Sequence, residues 1–198
     1  MKKGPKLLAR MIMISVALFS AGLFQAQTAP YLYYDELIRE SADSIAIKYD
    51  CDPTIVEEYW KAICEHQYEI GVPAPVVMAI ALNESSFKSQ LFANTKNPFG
   101  IKASNPWEGP TFAMWHDNET TLFRVYASAE EAVLDFRELV QSRGWYADAL
   151  SCPFDDFNCF VQGLKMNSNE PGYALDPNWD ENIMRLISDN NLECFCRK

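Results

Sequence analysis

The chain has 198 residues, of which 48% are hydrophobic, 13% aromatic and 22% charged. This composition is typical of a globular protein and excludes a disordered or fibrous chain, and the length is that of one domain. The 17 basic and 27 acidic residues give a formal net charge of −10. Nucleic acids and anionic membranes bind to basic surfaces, so we expect neither as a partner.

The first 26 residues have the pattern of a secretory signal peptide. A basic start precedes an uncharged apolar run at residues 11–24, and small and polar residues follow it. The apolar run is shorter than the roughly 20 residues that span a bilayer. We predict cleavage near Ala26, no integral membrane segment in the mature chain, and a periplasmic or secreted location. A retained N-terminal anchor is the alternative. Cleavage would change the net charge from −10 to −14 by removing Lys2, Lys3, Lys6 and Arg10.

Helical periodicity predicts three helices in the first part of the mature chain. Residues 31–48 carry apolar side chains at helical spacing. The second helix begins at Asp52-Pro53, because aspartate caps helices and proline is tolerated at their first position, and it ends at Gly71. The third helix, residues 74–83, is apolar on all sides, which is typical of a buried helix. It ends at Glu84.

The middle of the chain, residues 85–126, lacks helical periodicity and is rich in asparagine, proline and glycine. Two short strands are predicted at 111–115 and 121–126, joined across residues 116–119.

Three further helices are predicted after the strands. The first covers residues 128–142, where Ser128 and Glu131 form a capping box. The others cover residues 154–164 and the segment from Asp176-Pro177 onward. The fold prediction is a mainly helical α+β protein, a lysozyme-like domain with a small β-hairpin lobe.

Six cysteines follow the predicted signal peptide: Cys51, Cys64, Cys152, Cys159, Cys194 and Cys196. An even number in an exported chain predicts disulfides. The sequence leaves their pairing open, although Cys152 and Cys159 are close enough to clamp a local loop. There is no CxxC pair, and the two histidines are far apart, so neither a metal site nor a cofactor is predicted.

Glu84 is the first candidate for a catalytic residue. It ends an apolar helix, where a carboxyl group loses hydration and its pKa rises. A general acid that protonates a glycosidic oxygen needs a raised pKa of this kind. A glutamate that is simply solvated at a helix end is the alternative.

Five motifs in the second half of the chain together resemble glycoside hydrolase family 73, the endo-β-N-acetylglucosaminidases of bacterial cell walls, which include a flagellar muramidase type. They are Ala81-Leu82-Asn83-Glu84-Ser85-Ser86-Phe87, Asn97-Pro98-Phe99-Gly100-Ile101-Lys102-Ala103, Trp107-x-Gly109, Phe123-Arg124-Val125-Tyr126 and Gly172-Tyr173-Ala174-Leu175-Asp176-Pro177. The resemblance implies a lysozyme-like fold, peptidoglycan glycan strands as substrate and Glu84 as the catalytic acid. It covers residues 72–192, so we predict a glucosaminidase domain at 72–198 and a helical N-terminal extension at 27–71.

The resemblance also implies a second carboxylate in the hairpin lobe, where Asp117 and Glu119 are the candidates. We favour Glu119, because it leads into the second strand. The alternative is that Asp117 and Glu119 are both ordinary turn residues. A distant carboxylate that activates water would invert the anomeric centre, whereas participation of the substrate's 2-acetamido group would retain it. The sequence leaves this choice open.

Aromatic side chains suit the apolar faces of sugar rings. The Gly-Tyr-Ala motif implies that Tyr173 lies in the cleft near the acid. Candidates for substrate binding are Phe87, Phe99, Trp107, Trp115 and Tyr126. Arg124 either pairs with a carboxylate or contacts the glycan.

The functional prediction is a secreted, monomeric hydrolase that cleaves the β-1,4 bond on the reducing side of N-acetylglucosamine in peptidoglycan. One alternative is a lytic transglycosylase or muramidase, which also uses a glutamate at the end of a helix. The other is a catalytically silent wall-binding module of the same fold.

Overall fold

The computed structural model describes residues 34–104, 107–116, 119–142, 144–165, 173–174 and 176–194. The predicted signal peptide and Asp117 lie outside these residues. The chain divides into two compact units, residues 1–37 and 38–198. In the first unit residues 34–37 are described, and they are helical.

The second unit begins with three helices close to their predicted positions. α1 covers residues 38–49, and its buried side chains recur at helical spacing. α2 covers Pro53–Ile70; the Asp52 carboxylate accepts the Thr54 N–H at 2.9 Å, and Gly71 ends the helix in a left-handed conformation at φ 77°. α3 covers Ala74–Glu84. The predicted ends of α2 are therefore confirmed.

A short helix, α4 (Gln90–Thr95), lies in the middle segment where no helix was predicted. The Ser89 hydroxyl caps it by accepting the Phe92 N–H at 3.1 Å. Its six residues are too few to show a helical repeat, which explains why the periodicity missed it.

The hairpin consists of β1 (Thr111–His116) and β2 (Glu119–Arg124), paired antiparallel with His116 opposite Glu119. β2 begins two residues earlier than predicted and ends at Arg124. Glu119 is therefore a strand residue, with its orientation set by the pleat.

The remaining helices are α5 (Ala129–Ser142), α6 (Ala147–Leu150), α7 (Phe157–Leu164) and α8 (Trp179–Asp189), with short 3₁₀ segments at Gly144–Tyr146 and Leu192–Cys194. The Ser128 hydroxyl accepts the Glu131 N–H at 3.1 Å, as the capping box predicts. α7 and α8 each begin three residues later than predicted. Asp156 caps α7 by accepting the Cys159 N–H at 2.9 Å.

The centre of the core is α3, whose residues from Ala74 to Leu82 are all buried. α2, α7 and α8 pack against α3, and α5 packs against α2. The helical core thus holds the C-terminal end of α3, where Glu84 lies. The predicted fold class, mainly helical with one small hairpin, is confirmed.

Cys152 and Cys159 form a disulfide with their Cα atoms 5.8 Å apart, which confirms the predicted local clamp. In the described part of the chain, Cys51 is a free thiol. Within the described part of the chain, none of the helices combines the length and the apolarity needed to cross a membrane.

Candidate active site

Glu84 is placed by an abrupt turn at the end of α3. The Ser85 and Ser86 hydroxyls donate to the carbonyls of Ala81 and Leu82, both at 2.9 Å. Ser86 and Phe87 then take left-handed conformations with φ of 47° and 53°. Such a conformation costs a residue other than glycine about 1–2 kcal/mol, so surrounding contacts must hold it.

The Phe87 ring supplies such contacts. It is buried and packs against Tyr59 and Phe92, with ring centroids 5.3 and 5.6 Å away. Its N–H donates to the Ser85 hydroxyl at 3.1 Å. Phe87 therefore anchors the turn that follows Glu84 and does not line the cavity beside that residue.

A cavity of about 620 Å³ opens beside Glu84. Its walls come from α4, the loop that follows it, the hairpin, α5, the first 3₁₀ segment and the segment before α8. The lining residues are Glu84, Ser89, Gln90, Leu91, Phe99, Gly100, Ile101, Lys102, Ser104, Met114, Phe123, Leu139, Tyr146 and Tyr173. Aromatic and aliphatic side chains thus surround one carboxyl group, with one lysine and two tyrosines nearby.

The Glu84 carboxyl reaches solvent through this cavity, but the protein around it removes much of its hydration. Desolvation raises the pKa of Glu84 above its ordinary value. The Asn83 amide, which donates to Oε1 at 3.1 Å, and the Trp179 indole N–H act in the opposite direction. Since desolvation is the largest effect, the protonated form persists to higher pH than in a solvated glutamate.

The floor of the cavity is held to the hairpin by Asn97, which is fully buried. Its amide nitrogen donates to the carbonyls of Ile101 at 2.9 Å and Arg124 at 3.1 Å, and its oxygen accepts the Ile101 N–H at 3.0 Å. Gly100 lies in this floor at φ 63°, and a Cβ atom there would lie 3.8 Å from Glu84 Oε2. The floor backbone therefore passes directly beside the carboxyl group.

Tyr173 closes another side of the cavity. Its hydroxyl donates to the Phe99 carbonyl at 2.7 Å, and its backbone N–H donates to Leu164 at 2.9 Å. Burial, and then the nearby charge of Glu84, raise the pKa of Tyr173 well above its ordinary value. The hydroxyl is therefore neutral. Because its proton is donated to the Phe99 carbonyl, the Tyr173 oxygen can only accept further hydrogen bonds from the cavity.

The register of the hairpin shows where Glu119 points. Residues at alternate positions of a strand share a face, so Glu119 lies on the same face of the hairpin as Met114 and Phe123. Met114 and Phe123 line the cavity. Glu119 is therefore on the cleft side of the hairpin, at its far end. The other candidate, Asp117, lies outside the described residues.

Of the five aromatic candidates for substrate binding, only Phe99 lines the cavity. Trp115 is 70% exposed and lies on the opposite face of the hairpin from Met114. Tyr126 is buried, and its hydroxyl donates to Asp135 at 2.5 Å. Trp107 packs edge-on against Tyr126, with ring centroids 5.9 Å apart.

Arg124 pairs with a carboxylate, which is one of the two roles considered for it. Its Nη1 donates to both oxygens of Asp135, at 2.6 and 2.9 Å, and its guanidinium lies 4.7 Å from the Trp107 ring centroid. The pair joins β2 to α5. Arg124 therefore fixes the hairpin to the helical core.

Sequence reasoning missed three residues around Glu84: Lys102, Met114 and Trp179. Met114 lies on the same face of the hairpin as Phe123, so the alternation of side chains along the two strands could have indicated it. Lys102 lies within the motif that contains Phe99 and Gly100. Nothing in the spacing of Trp179 distinguished it from an ordinary core residue. In the described ranges, no three His, Cys, Asp or Glu side chains group closely enough to hold a metal ion.

Comparison with known proteins now identifies the family. The model of the glucosaminidase family, described as mannosyl-glycoprotein endo-β-N-acetylglucosaminidase, matches residues 60–192. The chain belongs to this glycoside hydrolase family. The match confirms the family resemblance read from the motifs. It begins at residue 60, inside the segment predicted as an N-terminal extension.

Curated proteins similar to this chain include peptidoglycan hydrolase FlgJ of Vibrio cholerae, 27% identical over 129 residues, and that of Salmonella typhimurium, 30% identical over 130 residues. Each match covers 59% of this chain. It covers 37% of the Vibrio protein and 39% of the Salmonella protein, so the chain spans about two fifths of the length of these relatives.

Two solved structures have the same fold. A peptidoglycan hydrolase from Sphingomonas sp. A1 superposes with a TM-score of 0.60 at 28% identity, over 71% of this chain and 91% of the other. The glycoside hydrolase domain of Salmonella typhimurium FlgJ gives a TM-score of 0.57 at 24% identity, over 70% and 87% of the two chains. The second likeness concerns the fold alone.

Proposed function

We propose that this protein is a peptidoglycan hydrolase that cleaves the β-1,4 bond on the reducing side of N-acetylglucosamine, with Glu84 as the general acid. The observation that carries the proposal is the raised pKa of Glu84 in a cavity lined by aromatic and aliphatic side chains. Membership of the glucosaminidase family and the names of its relatives support peptidoglycan as the substrate.

In the proposed reaction, protonated Glu84 donates its proton to the glycosidic oxygen as the bond to the anomeric carbon breaks. Positive charge then develops on the sugar, and Glu84 becomes a carboxylate. Two groups could complete the reaction at the anomeric carbon. Glu119, on the cleft side of the hairpin, would activate water, or the substrate's acetamido oxygen would attack first.

The cavity also supports recognition of an N-acetylated sugar. Phe99 lies in the floor, where its ring suits the apolar face of a pyranose. The Tyr173 oxygen, which can only accept, fits the N–H of an acetamido group or an attacking water molecule. The protein and the wall polymer are both anionic, so binding rests on contacts of this kind and on Lys102.

We further propose that the protein acts outside the cytoplasm, because peptidoglycan lies there and residues 1–26 have the signal-peptide pattern. The domain boundary near residue 71 and the monomeric state are parts of the same proposal.

The products of digestion test this proposal against its alternatives. Purified sacculi would be digested, reduced with borohydride and separated for mass analysis. Reduced N-acetylglucosamine at the new ends supports the proposed bond. A 1,6-anhydromuramoyl end would indicate a lytic transglycosylase, and a reduced muramic acid end would indicate a muramidase. Binding to sacculi without release of fragments would indicate a silent wall-binding module.

A further inference from the structure

Trp179 is a buried residue outside the cavity whose polar group has no hydrogen bond. It begins α8 and is 1% exposed. Its ring packs against Tyr173, with centroids 5.6 Å apart, and α8 packs against α3, which ends at Glu84. Its indole nitrogen is buried and has no hydrogen-bond partner. A buried donor without a partner is uncommon in native proteins and calls for an explanation.

The explanation lies in the carboxyl group of Glu84. The indole N–H of Trp179 is close enough to that carboxyl to stabilise its charged form, although the two do not meet the geometry of a hydrogen bond. Asn83 already donates to Oε1 at 3.1 Å. The second donor therefore stands near a carboxyl group that is partly desolvated by its neighbours.

We propose that Trp179 is a positioning residue for the acid. Its indole N–H donates a hydrogen bond to the Glu84 carboxylate that forms when the proton leaves. This inference rests on the proposed role of Glu84. A donor that strengthens its contact only as negative charge develops favours the transition state over the ground state. The indole is suited to this role because it donates one N–H and accepts none.

Three further ionisable side chains line the cavity beside Glu84 in the described part of the chain: Tyr173 from the segment before α8, Tyr146 from the first 3₁₀ segment and Lys102 from the floor loop. Glu119 lies on the same face of the hairpin as the lining residues Met114 and Phe123. Burial raises the pKa of Tyr173 well above its ordinary value, so its hydroxyl stays neutral. A test of Trp179 must therefore remove the indole N–H and leave these groups in place.

Trp179→Phe removes the N–H and keeps an aromatic ring in the core. Glu84 must be protonated to act, so activity falls as pH rises through its pKa. Without the indole donor the carboxylate is less stable, and the pKa rises further. We expect the basic limb of the kcat/KM profile to move to higher pH, kcat at the optimum to fall about tenfold and KM to change little. An unmoved limb, or one at lower pH, would overturn the proposal.

Trp60→Phe is the matched control, because Trp60 is also fully buried but lies on α2 and does not line the cavity. It should lower thermal stability and leave the pH profile unchanged. A shift of the limb in both variants would assign the effect to core packing.

A second measurement needs neither substrate nor a folded variant at position 179. The ¹⁵N-labelled indole groups of the five tryptophans would be followed by NMR during an acid titration of the wild type and of Glu84→Gln. One indole resonance should titrate in the wild type and lose that titration in the variant. If no indole senses Glu84, Trp179 is a core residue only, whatever the enzyme assay shows.

Discussion

Tyr173→Phe separates the chemical role of a hydroxyl from its structural role. The change removes one hydrogen bond, 2.7 Å from the hydroxyl to the Phe99 carbonyl, and leaves that carbonyl without its donor. The expected loss of stability is about 1–3 kcal/mol, and each kcal/mol lowers Tm by roughly 2–4 °C in a domain of this size. We also expect kcat to fall about 10- to 100-fold, because Tyr173 lines the cavity and, under the proposed function, its oxygen accepts a hydrogen bond from the substrate or the attacking water. Turnover of soluble glycan fragments and a thermal melt measure the two effects.

Tyr59→Phe is the matched control for this prediction. The Tyr59 hydroxyl also donates to a backbone carbonyl, that of Lys96, at 2.7 Å, and its side chain is buried outside the cavity. The two variants should lose similar stability, but only Tyr173→Phe should lose turnover at a temperature where both are folded. Equal turnover in the two variants would refute a direct role of the Tyr173 hydroxyl and leave it a structural group.

Three further predictions concern the frame of the cavity and the second carboxylate. Asp135→Asn should cost about 3–5 kcal/mol in urea denaturation, because the Arg124 side chain is only 10% exposed and would lose its countercharge. Glu57→Gln, in the more accessible ion pair with Lys61, should cost less than about 1 kcal/mol, and equal costs would contradict this reasoning. Asn97→Ala should cost about 2–4 kcal/mol, because it removes three buried hydrogen bonds; a smaller loss would mean that water or a relaxed loop replaces them. Glu119→Gln should leave Tm unchanged and lower kcat by about 100-fold or more if this residue activates water. Wild-type turnover in that variant would instead favour the substrate's acetamido group.

The helices could be predicted because their ends carry local signals. Asp52-Pro53 and Gly71 bound α2 through capping and a left-handed backbone, and neither depends on the rest of the fold. α4 could not be predicted, since a single residue, Ser89, marks its start and its six residues show no repeat. The start of β2 at Glu119 was missed because pairing with His116 decides it, and pairing is a tertiary property.

The candidate site could be predicted only in part, for a related reason. Glu84, Phe99 and Tyr173 come from three separate motifs, and the structure brings all three to one cavity. The sequence cannot tell an aromatic residue that binds sugar from one that fills the core. Phe87 and Tyr126 were therefore predicted to bind substrate from motifs that resemble the family's, but both are buried.

Trp179 is the reverse case, a residue near the site that was predicted only as part of the core. The role proposed for it depends on one unpaired N–H beside a carboxyl group, and no pattern of residue types predicts such a contact.

The most direct test of the account is the turnover of purified sacculi by Glu84→Gln. The amide has nearly the same shape as the acid but cannot donate a proton to the leaving oxygen, so the account predicts a loss of at least about 10²- to 10⁴-fold with an unchanged melt. Glu58→Gln, an exposed position on α2, is the control and should keep full activity. A folded Glu84→Gln protein that clears sacculi at the wild-type rate would show that Glu84 is not the acid.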